Sequence, residues 1–508
     1  MKKTSLFSKN DIRQIKSLGI SPAGVKKQLA AYRQGSNYLT LNRPCTVKDG
    51  IVSITPAQRK KLIDLYESEA GLYKVIKFVP ASGAASRMFT GWFSANEKGS
   101  FGSGELDHKF FRNLKKFPFF PLLAEIKTGE KLLGKKDIKG LLKFILGEDG
   151  LNYGNLPKAL IPFHRYPSGK SCTALEEHLR EAAGYVPAIS GAIHLHFTLS
   201  AEHKREIAKY LKKLIAKDEC LCRKKYNITL STQSVSTNTI AVDETNLPLR
   251  DAKGELVFRP GGHGALLDNL NNLDADFIFV KNIDNIAPEL LLEKNLPFKK
   301  MLGGMALKIQ KENFSLLHNL ESGEPDSSGL DKIVKYCSRK LNTVFPQNFS
   351  QQTKKEKIRT IFSLLNRPLR ICGMVKNDGE PGGGPFWVED NGGTQTLQIV
   401  ESGHVDKRNP QQSAIWSRAQ YFNPVDIVCC IKNYRGEKFI LDNYVDKNAY
   451  LISSKNEKGI KLKALEVPGL WNGGMAYWNT VFVELPLIVF NPVKTVDDLL
   501  RPEHLRTL

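Results

Sequence analysis

Short apolar runs alternate with helical patterns along the chain beyond residue 73. The apolar runs read YKVIKFVPA, AIHLHFTLS, YNITLST and DADFIFVKNID, and the helical segments between them include LEEHLREAAG and AEHKREIAKYLKKLIAK. Strands and helices that take turns predict an α/β fold with a mostly parallel, doubly wound, Rossmann-like sheet. Ligands of such sheets bind beyond the carboxyl ends of the strands, so the loops after Val79, Ser200, Ser231 and Val280 are the first places to look for chemistry.

The flanking segments have different patterns. Residues 1–70 are polar and helical, and Thr55–Pro56 supplies a cap residue and a proline at a helix start. Residues 90–150 interrupt the alternation, and the part from about 370 onward is β-rich and dense in glycine. We therefore expect an N-terminal helical segment (1–70), a core (71–370) with an insertion (90–150), and a β-rich part (371–508).

Composition and net charge bear on the kind of partner that the protein binds. The 508 residues carry a net charge of +22, with 74 basic and 52 acidic side chains, and 41% of the chain is hydrophobic. These values are typical of a soluble globular protein, and the excess of basic residues indicates either an ordinary solvated surface or an attraction for polyanions. The basic pairs are dispersed and form no tract, so we expect the phosphates of small substrates and no specific nucleic acid.

Cysteine usage and the first residues bear on location. The eight cysteines include a CxC at Cys220 and Cys222 and an adjacent pair, Cys429–Cys430, but no CxxC. Reduced thiols in a cytosolic protein are the simplest account. The start, MKKTSLFSKNDIRQ, has no apolar stretch after its lysines, and no run is long enough to cross a bilayer. We expect a cytoplasmic protein without a membrane partner.

The stretch FVPASGAASRMF is the first candidate for phosphate chemistry. Backbone N–H groups in a turn before a helix can hold phosphate oxygens, and Arg87 adds positive charge. With Gly83 as its one glycine, the stretch taken alone favours an ordinary strand-to-helix turn. Lys158 and Lys170 follow in proline-rich loops, where solvated lysines are the ordinary interpretation.

The stretch FRPGGHGALLDNLNNLDADFIFVKNIDNI is the second candidate. Gly261, Gly262 and Gly264 allow a ligand to approach the backbone closely. Asp284 follows a buried strand, where a carboxylate suits Mg²⁺ beside phosphates. The alternative is that Asp284 caps the next helix.

The β-rich part combines carboxylates and amides with indole rings, which suits a sugar. The alternative is that these glycine-rich stretches are only hairpin turns and bind no sugar. Lys494, in NPVKTVDDLL, lies where a lysine can reach a phosphate. His194 and His196 share one strand face, and without a third ligand we expect buried, hydrogen-bonded histidines and no zinc site. The polar candidates are Asn377, Glu380, Glu401, Asn472 and Asn479, and the indoles are Trp387, Trp471 and Trp478.

The order of these motifs resembles the nucleotide-sugar pyrophosphorylases of the uridylyltransferase type. ASGAASRM is similar to their signature A-G-G-x-G-T-R-hydrophobic, with Ser82 and Ala85 in place of two glycines. The resemblance runs from about residue 75 to the end, and it is closest to an uncharacterised bacterial branch of that superfamily. Further elements that match in family order are LPKALIPF, STQ, PGGHG, KNIDN, QIVES, NGGMAYWNTVF and NPVKTVDDLL.

The resemblance implies a magnesium-dependent enzyme that joins a nucleoside triphosphate, preferably UTP, to a sugar 1-phosphate and releases pyrophosphate. It also implies a nucleotidyltransferase core followed by a sugar-phosphate-binding part. A GT-A-like glycosyltransferase and a non-catalytic nucleotide-sugar-binding protein are the alternatives; the single carboxylate in Asn282–Ile283–Asp284, where glycosyltransferases usually carry Asp-x-Asp, favours the first reading. The implied residues are Arg87, Lys158 and Lys494 for catalysis, Ala81, Ser82, Gly83, Ser86, Gln233, Gly261, Gly262 and His263 for the nucleotide, Glu380, Glu401, Asn472 and Asn479 for the sugar, and Asp284 for Mg²⁺.

Overall fold

The fold is described from a computed structural model, which covers residues 6–217, 224–323, 325–379, 382–390, 393–457 and 460–505. Its α-helices are α1 (Lys9–Ser17), α2 (Pro22–Gln34), α3 (Pro56–Glu69), α4 (Thr90–Lys98), α5 (Gly104–Leu114), α6 (Phe120–Glu125), α7 (Lys127–Lys135), α8 (Ile138–Leu146), α9 (Ala174–Tyr185), α10 (Lys204–Lys217), α11 (Leu266–Asn271), α12 (Leu292–Ser322), α13 (Ser327–Lys340), α14 (Lys354–Leu365), α15 (Pro410–Ser417) and α16 (Pro502–Leu505).

The strands come mainly in two stretches of the chain, with three short ones before α3. They are β1 (Thr40–Pro44), β2 (Thr46–Val47), β3 (Gly50–Val52), β4 (Val75–Pro80), β5 (Pro162–Arg165), β6 (Ser171–Thr173), β7 (Ala192–Leu199), β8 (Lys225–Thr232), β9 (Thr239–Ile240), β10 (Phe258–Arg259), β11 (Phe277–Lys281), β12 (Leu369–Lys376), β13 (Gly384–Glu389), β14 (Gln395–Val400), β15 (Tyr421–Phe422), β16 (Asp426–Cys430), β17 (Leu451–Glu457), β18 (Ile460–Glu466) and β19 (Asn479–Glu484).

The alternation read from the sequence is present in the structure. The runs YKVIKFVPA, AIHLHFTLS and YNITLST contain β4, β7 and β8, and DADFIFVKNID contains β11. The helical patterns between them form α9 and α10, and α3 begins at Pro56 after the Thr55 cap position. The α/β fold class with mostly parallel strands is therefore confirmed.

The chain divides into two compact units, each assembled from three segments. The first unit comprises Met1–Asp64, Gln233–Phe277 and Leu302–Leu485, and the second comprises Leu65–Thr232, Ile278–Met301 and Pro486–Leu508. The boundaries expected from composition, at residues 70 and 370, stay a prediction.

The second unit contains the strands whose ends carry the phosphate candidates. Its strands lie side by side in the order β11-β4-β7-β8, and β4 runs parallel to β7 and β7 parallel to β8. All but the last residue of β4 are buried, as are all residues of β11. Because β4 and β7 run in the same direction, their carboxyl ends meet at one edge, where the turn after Pro80 begins.

The first unit contains most of the β-rich part. Its strands include the series β2-β3-β19-β12-β16, in which β3, β19 and β12 are parallel while β16 pairs with β12 antiparallel. A separate antiparallel sheet has the order β1-β13-β14, and β17 and β18 form a hairpin.

The segment 1–70 is not helical throughout. The helices α1, α2 and α3 agree with the expectation, but β1, β2 and β3 lie between α2 and α3. These strands are short, and β1 pairs with β13, more than 300 residues further along the chain. Pairing with distant strands leaves no local periodicity, which is why the pattern did not predict them.

The described part of the chain has no helix that is both long enough and apolar enough to span a membrane.

Candidate functional site

The signature stretch forms a turn at the carboxyl end of β4 in the second unit. The backbone N–H of Ala81 donates to Thr198 O at the end of β7 over 2.8 Å. A single 3-10 turn, Ala85–Arg87, then leads into α4. None of the residues from Ala81 to Arg87 has a positive φ.

The backbone conformation of this turn explains why it can form with so few glycines. A Cβ added at Gly83 would have no atom within 4 Å, so even this glycine is not required by packing. Ser82 and Ala85 have ordinary backbone conformations, and both replace glycines of the resembling family without strain. Ser82 and Ser86 are half-buried, while Ala81 and Ala85 are buried.

The loop that carries Lys158 is hydrogen-bonded to this turn. Lys158 N donates to Gly83 O over 3.1 Å, and Ala85 N donates to Leu156 O over 3.0 Å. The two bonds form an antiparallel bridge between Ala84 and Pro157. Although about seventy residues separate the two motifs in sequence, they are neighbours in the structure.

Asp284 brings two of the predicted lysines together. The ammonium groups of Lys158 and Lys494 lie 3.2 and 3.1 Å from the same carboxylate oxygen, Asp284 Oδ2. Lys158 Nζ also donates to Val493 O over 2.9 Å. The side chains of Lys158 and Asp284 are 11% and 15% exposed, and that of Lys494 is 46% exposed. The cluster is therefore a partly buried carboxylate between one inner and one outer lysine.

Backbone bonds fix the segment that carries Lys494 beside Asp284. Val493 N donates to Asp284 O over 2.9 Å, and Asn491 N donates to Asn285 Oδ1 over 2.9 Å. Val496 N donates to Met88 O, just after the signature turn, over 3.1 Å. The turn, the Lys158 loop, the Asp284 loop and the Lys494 segment are thus linked by hydrogen bonds within one unit.

The charges of this cluster shift one another's pKa. Burial acts to raise the pKa of Asp284, but the ammonium groups of Lys494 and Lys158 outweigh it and hold the pKa below its ordinary value. Burial lowers the pKa of Lys158 although the Asp284 carboxylate opposes this, and Lys494 and Arg87 add to the lowering. Arg87 is exposed and acts on Lys158 through its charge.

The donor set at Asp284 fits a magnesium ion held largely by substrate phosphates. Among the residues that the structure describes, no group of three or more histidine, cysteine or acidic side chains could hold a metal by itself. Both lysines contact Oδ2, and no described residue donates to Oδ1. One carboxylate oxygen with phosphate oxygens is a ligand set that Mg²⁺ commonly uses.

The base and sugar candidates lie in the first unit, where His263 is the centre of a cluster. Its Nδ1 accepts from Leu470 N over 3.1 Å, which assigns the proton of the neutral ring to Nε2. Nε2 lies 3.5 Å from Glu401 Oε1, and the ring stacks on Trp471 with centroids 4.4 Å apart. Burial acts to raise the pKa of Glu401, but His263, together with the nearby amide of Asn472 and the charge of His404, outweighs it and lowers the pKa to about 2. Glu401 is therefore a charged acceptor at neutral pH.

The two predicted asparagines of the sugar set differ in their bonding. Asn472 is 1% exposed, and neither polar atom of its amide has a hydrogen-bond partner among the described residues. Asn479 is buried at the start of β19, and its amide nitrogen donates to Leu365 O over 3.2 Å. The amide of Asn472 thus lies near Glu401 without a well-formed hydrogen bond, whereas the amide of Asn479 is bonded to the last residue of α14. Glu380 lies outside the described residues.

The glycine loop predicted to cover the base is packed against the protein itself. A Cβ at Gly261 would lie 2.5 Å from Thr237 O, and one at Gly264 would lie 2.3 Å from Pro468 O. Gly262 has a φ of +76°, which favours glycine. Close packing and backbone conformation account for these glycines, and contact with a base stays a prediction, as it does for the half-buried Gln233.

Two other candidate residues have structural roles. Nδ1 and Nε2 of His196 lie 2.7 Å from the hydroxyls of Thr229 and Ser231, so the expectation of a buried, hydrogen-bonded histidine is confirmed for His196, whereas His194 is only half-buried. The indole N–H of Trp387 donates to Asp49 Oδ1 over 2.9 Å, and Arg43 lies over its ring. Trp387 therefore stabilises the sheet that contains β13.

Asp498 was not among the residues predicted for the site. Its Oδ2 accepts from Lys494 N over 2.8 Å and from Thr495 N over 2.7 Å. The signal was present, because Thr495 and Asp498 have the spacing of a capping box at the start of the 3-10 turn Val496–Leu500. Asp498 thereby orients the backbone that presents Lys494.

Fold and site together define an α/β protein with mostly parallel strands and a lysine–aspartate cluster where its strands end. The chain belongs to the family of the domain of unknown function DUF4301, whose model matches residues 8–505. The expected membership in an uncharacterised family is thus confirmed. No curated protein matches the sequence.

Two solved structures illustrate what the fold is similar to. One is the uridine diphosphate N-acetylglucosamine pyrophosphorylase of Trypanosoma brucei, with a TM-score of 0.49 and 11% identity over 97% of this chain and 79% of that one. Another is the UDP-glucose pyrophosphorylase of Leishmania major, with a TM-score of 0.46 and 12% identity over 98% of this chain and 79% of that one.

Proposed function

We propose that the protein joins a nucleoside triphosphate, with UTP preferred, to a sugar 1-phosphate, giving a nucleotide sugar and pyrophosphate. The observation that carries the proposal is the cluster of Lys158 and Lys494 on Asp284, held by loops that are hydrogen-bonded to the signature turn. Two ammonium groups and a neighbouring guanidinium at the ends of sheet strands suit a ligand with several phosphate groups.

The proposed reaction needs little proton chemistry from the protein. An oxygen of the sugar phosphate attacks the α-phosphorus and forms a new P–O bond while the bond to the β-phosphate oxygen breaks. The nucleophile is already an anion, and the electron pair leaves on pyrophosphate. Catalysis then consists of positioning the two phosphates and neutralising charge on their oxygens, which lysine and arginine side chains supply.

The cluster supports a division of labour among the three cations. We assign the buried Lys158 to the triphosphate and Arg87, which is exposed beside it, to the leaving β- and γ-phosphates. The more exposed Lys494 is assigned to the sugar phosphate. In the structure the carboxylate of Asp284 neutralises part of the positive charge of both lysines. When phosphates bind, their oxygens take over part of this neutralisation.

Asp284 is also the residue that we assign to Mg²⁺, through the Oδ1 atom to which no described residue donates. When bound there beside phosphates, a magnesium ion would add positive charge where the reaction develops negative charge.

The assignments for the base and the sugar belong to the first unit. Gln233, Gly261, Gly262 and His263 are proposed for the base, and Glu401, Asn472 and Asn479, with Glu380, for the sugar. The charged Glu401 and the amide of Asn472, which has no well-formed hydrogen bond, support contacts to sugar hydroxyls, because both offer polar atoms that can bond to a ligand.

A pyrophosphate-release assay over a panel of nucleoside triphosphates and sugar 1-phosphates with Mg²⁺ tests the proposal. We expect release that depends on both substrates and falls strongly in Lys158→Met. Lys170→Met is the matched control, because Lys170 is also a loop lysine but is not bonded to Asp284. Turnover of a nucleotide sugar without pyrophosphate would favour the glycosyltransferase, and binding without any turnover would favour the non-catalytic protein.

A further inference from the structure

A buried chain of polar side chains lies in the second unit beside the candidate phosphate cluster. Glu177 Oε1 is 2.9 Å from His164 Nδ1, and His164 Nε2 is 2.8 Å from His504 Nδ1. Tyr166 donates its hydroxyl to the same Glu177 oxygen over 2.7 Å. His164, Glu177 and His504 are no more than 1% exposed, yet the proposed reaction uses none of them.

The protons of this chain can be assigned from its bonds. His164 Nδ1 faces a carboxylate oxygen and therefore donates to Glu177. One further proton lies between His164 Nε2 and His504 Nδ1 and joins the two rings. Burial, with the neighbouring charges of His164 and Arg501, lowers the pKa of His504 well below its ordinary value and keeps it neutral. The hydrogen bonds therefore join Glu177, His164 and His504 in one continuous chain.

His504 belongs to the same stretch as Lys494, residues 491–505, which we call the Lys494 segment. Inside it, Arg501 Nη2 is 2.7 Å from Asp498 Oδ1, and His504 N donates to Arg501 O over 2.9 Å. Asp498 in turn accepts from Lys494 N. A continuous series of hydrogen bonds thus joins His504 to the backbone of Lys494.

We propose that the Glu177–His164–His504 chain is a latch that holds the Lys494 segment in place, so that these three are positioning residues for Lys494. The consequence for catalysis rests on the proposed function, but the latch itself does not. It holds helix α16 against strand β5 and helix α9, while the backbone bonds of Val493 and Val496 hold the other end of the segment beside Asp284 and Met88.

Simple packing would not require these residue types. Burying a carboxylate and two imidazoles is costly, and well-packed apolar side chains of similar volume commonly do as well or better for stability. What a directional hydrogen-bond chain adds is one fixed geometry, because each donor must face its acceptor. That is the property a segment needs when it has to present an ammonium group at a defined place.

Hydrogen exchange tests the latch without reference to activity. His504→Phe removes the hydrogen-bond partner of His164 Nε2, and we expect the amides of Val493 and Val496 to exchange about tenfold faster, the effect of losing one buried hydrogen bond. His504→Asn is the matched control, since its amide nitrogen can donate from the place of Nδ1, and it should stay close to wild type. If His504→Phe does not fold, Tyr166→Phe, which removes the other donor to Glu177, should give a smaller increase. Unchanged exchange in the variant that folds, or equal exchange in His504→Asn and His504→Phe, would overturn the latch.

Kinetics connect the latch to Lys494. We expect His504→Phe to raise the KM for the sugar 1-phosphate about tenfold with kcat less affected, and to have no further effect in a Lys494→Met background. A purely structural role would lower activity equally in both backgrounds. If Lys494→Met leaves KM unchanged, the proposed role of Lys494 fails while hydrogen exchange still decides on the latch. If Lys494→Met raises KM and His504→Phe does not, only the latch fails.

Discussion

Lys158 and Lys494 contact the same carboxylate oxygen at similar distances but differ in burial, so together they test how burial affects the strength of such a contact. Each ammonium group lies close to Asp284 Oδ2, at 3.2 Å for Lys158 and 3.1 Å for Lys494. The Lys158 side chain is 11% exposed, whereas that of Lys494 is 46% exposed. Replacing each with methionine removes the charge but keeps a chain of similar length.

The two substitutions should differ severalfold in their effect on stability. Hydrogen bonds to charged groups contribute about 1.5–3 kcal/mol, and a buried acceptor left without a donor costs about 1–3 kcal/mol. Lys158→Met loses the bond to Asp284 and leaves Val493 O without the Nζ donor, so we expect the free energy of unfolding to fall by about 3 kcal/mol. Lys494→Met loses a solvent-screened contact, which contributes less than about 1 kcal/mol.

Thermal unfolding followed by calorimetry measures the difference. A loss of about 1 kcal/mol lowers Tm by about 2–4 °C in a unit of 150–250 residues. We therefore expect Lys158→Met to lower Tm by about 6–12 °C and Lys494→Met by less than about 4 °C. Equal shifts, or a larger shift for Lys494→Met, would refute the reasoning that burial sets the strength of these contacts.

Four further substitutions test other parts of the structure. Gly83→Ala should leave Tm unchanged or slightly raised because its Cβ meets no atom within 4 Å, whereas Gly264→Ala, 2.3 Å from Pro468 O, should cost about 1–3 kcal/mol. Glu401, whose pKa falls from 4.5 to about 2 on folding, contributes stability above pH 4.5 that is lost as the pH falls toward 2; the advantage of wild type over Glu401→Gln in urea denaturation should shrink accordingly. Burial lowers the pKa of His196 from 6.5 to about 4, so the unfolded chain binds more protons; the advantage of wild type over His196→Gln should be larger at neutral pH than near pH 4.

Each of these predictions has a clear contrary result. A Tm loss in Gly83→Ala as large as that in Gly264→Ala would mean that the signature turn needs its glycine. A stability difference for Glu401→Gln that grows in acid would reverse the sign of its pKa shift. A pH-independent difference for His196→Gln would show that its ring titrates normally.

The fold was predictable where local patterns and burial agree. The strands β4, β7 and β11 are short, mostly apolar runs, and helices such as α9 begin at cap residues that can be read directly from the sequence. β1 was not predictable, because it is defined by pairing with β13 far along the chain. The packing of Gly264 against Pro468 was hidden for the same reason.

The candidate site was predictable as a set of residues and not as a geometry. Asp284 at the end of a buried strand is a physical signal in a single sequence, and Lys158 and Lys494 gained weight only from the order of the motifs. Lys158 and Lys494 lie 126 and 210 residues from Asp284 along the chain, and no spacing rule in the sequence specifies that both contact one oxygen of its carboxylate. The chain from His504 to Glu177 had no sequence signal, since its members belong to three unrelated stretches.

The central claim is that this protein transfers a nucleotidyl group to a sugar phosphate. The most direct measurement incubates the full chain with Mg²⁺, a panel of sugar 1-phosphates and UTP labelled in its α-phosphate. We predict that the label moves into a nucleotide sugar in equal amount to the pyrophosphate released, and that Lys158→Met abolishes the transfer while Lys170→Met retains it. Label that stays in UTP with every sugar phosphate, or that is released as free nucleotide, would contradict the claim.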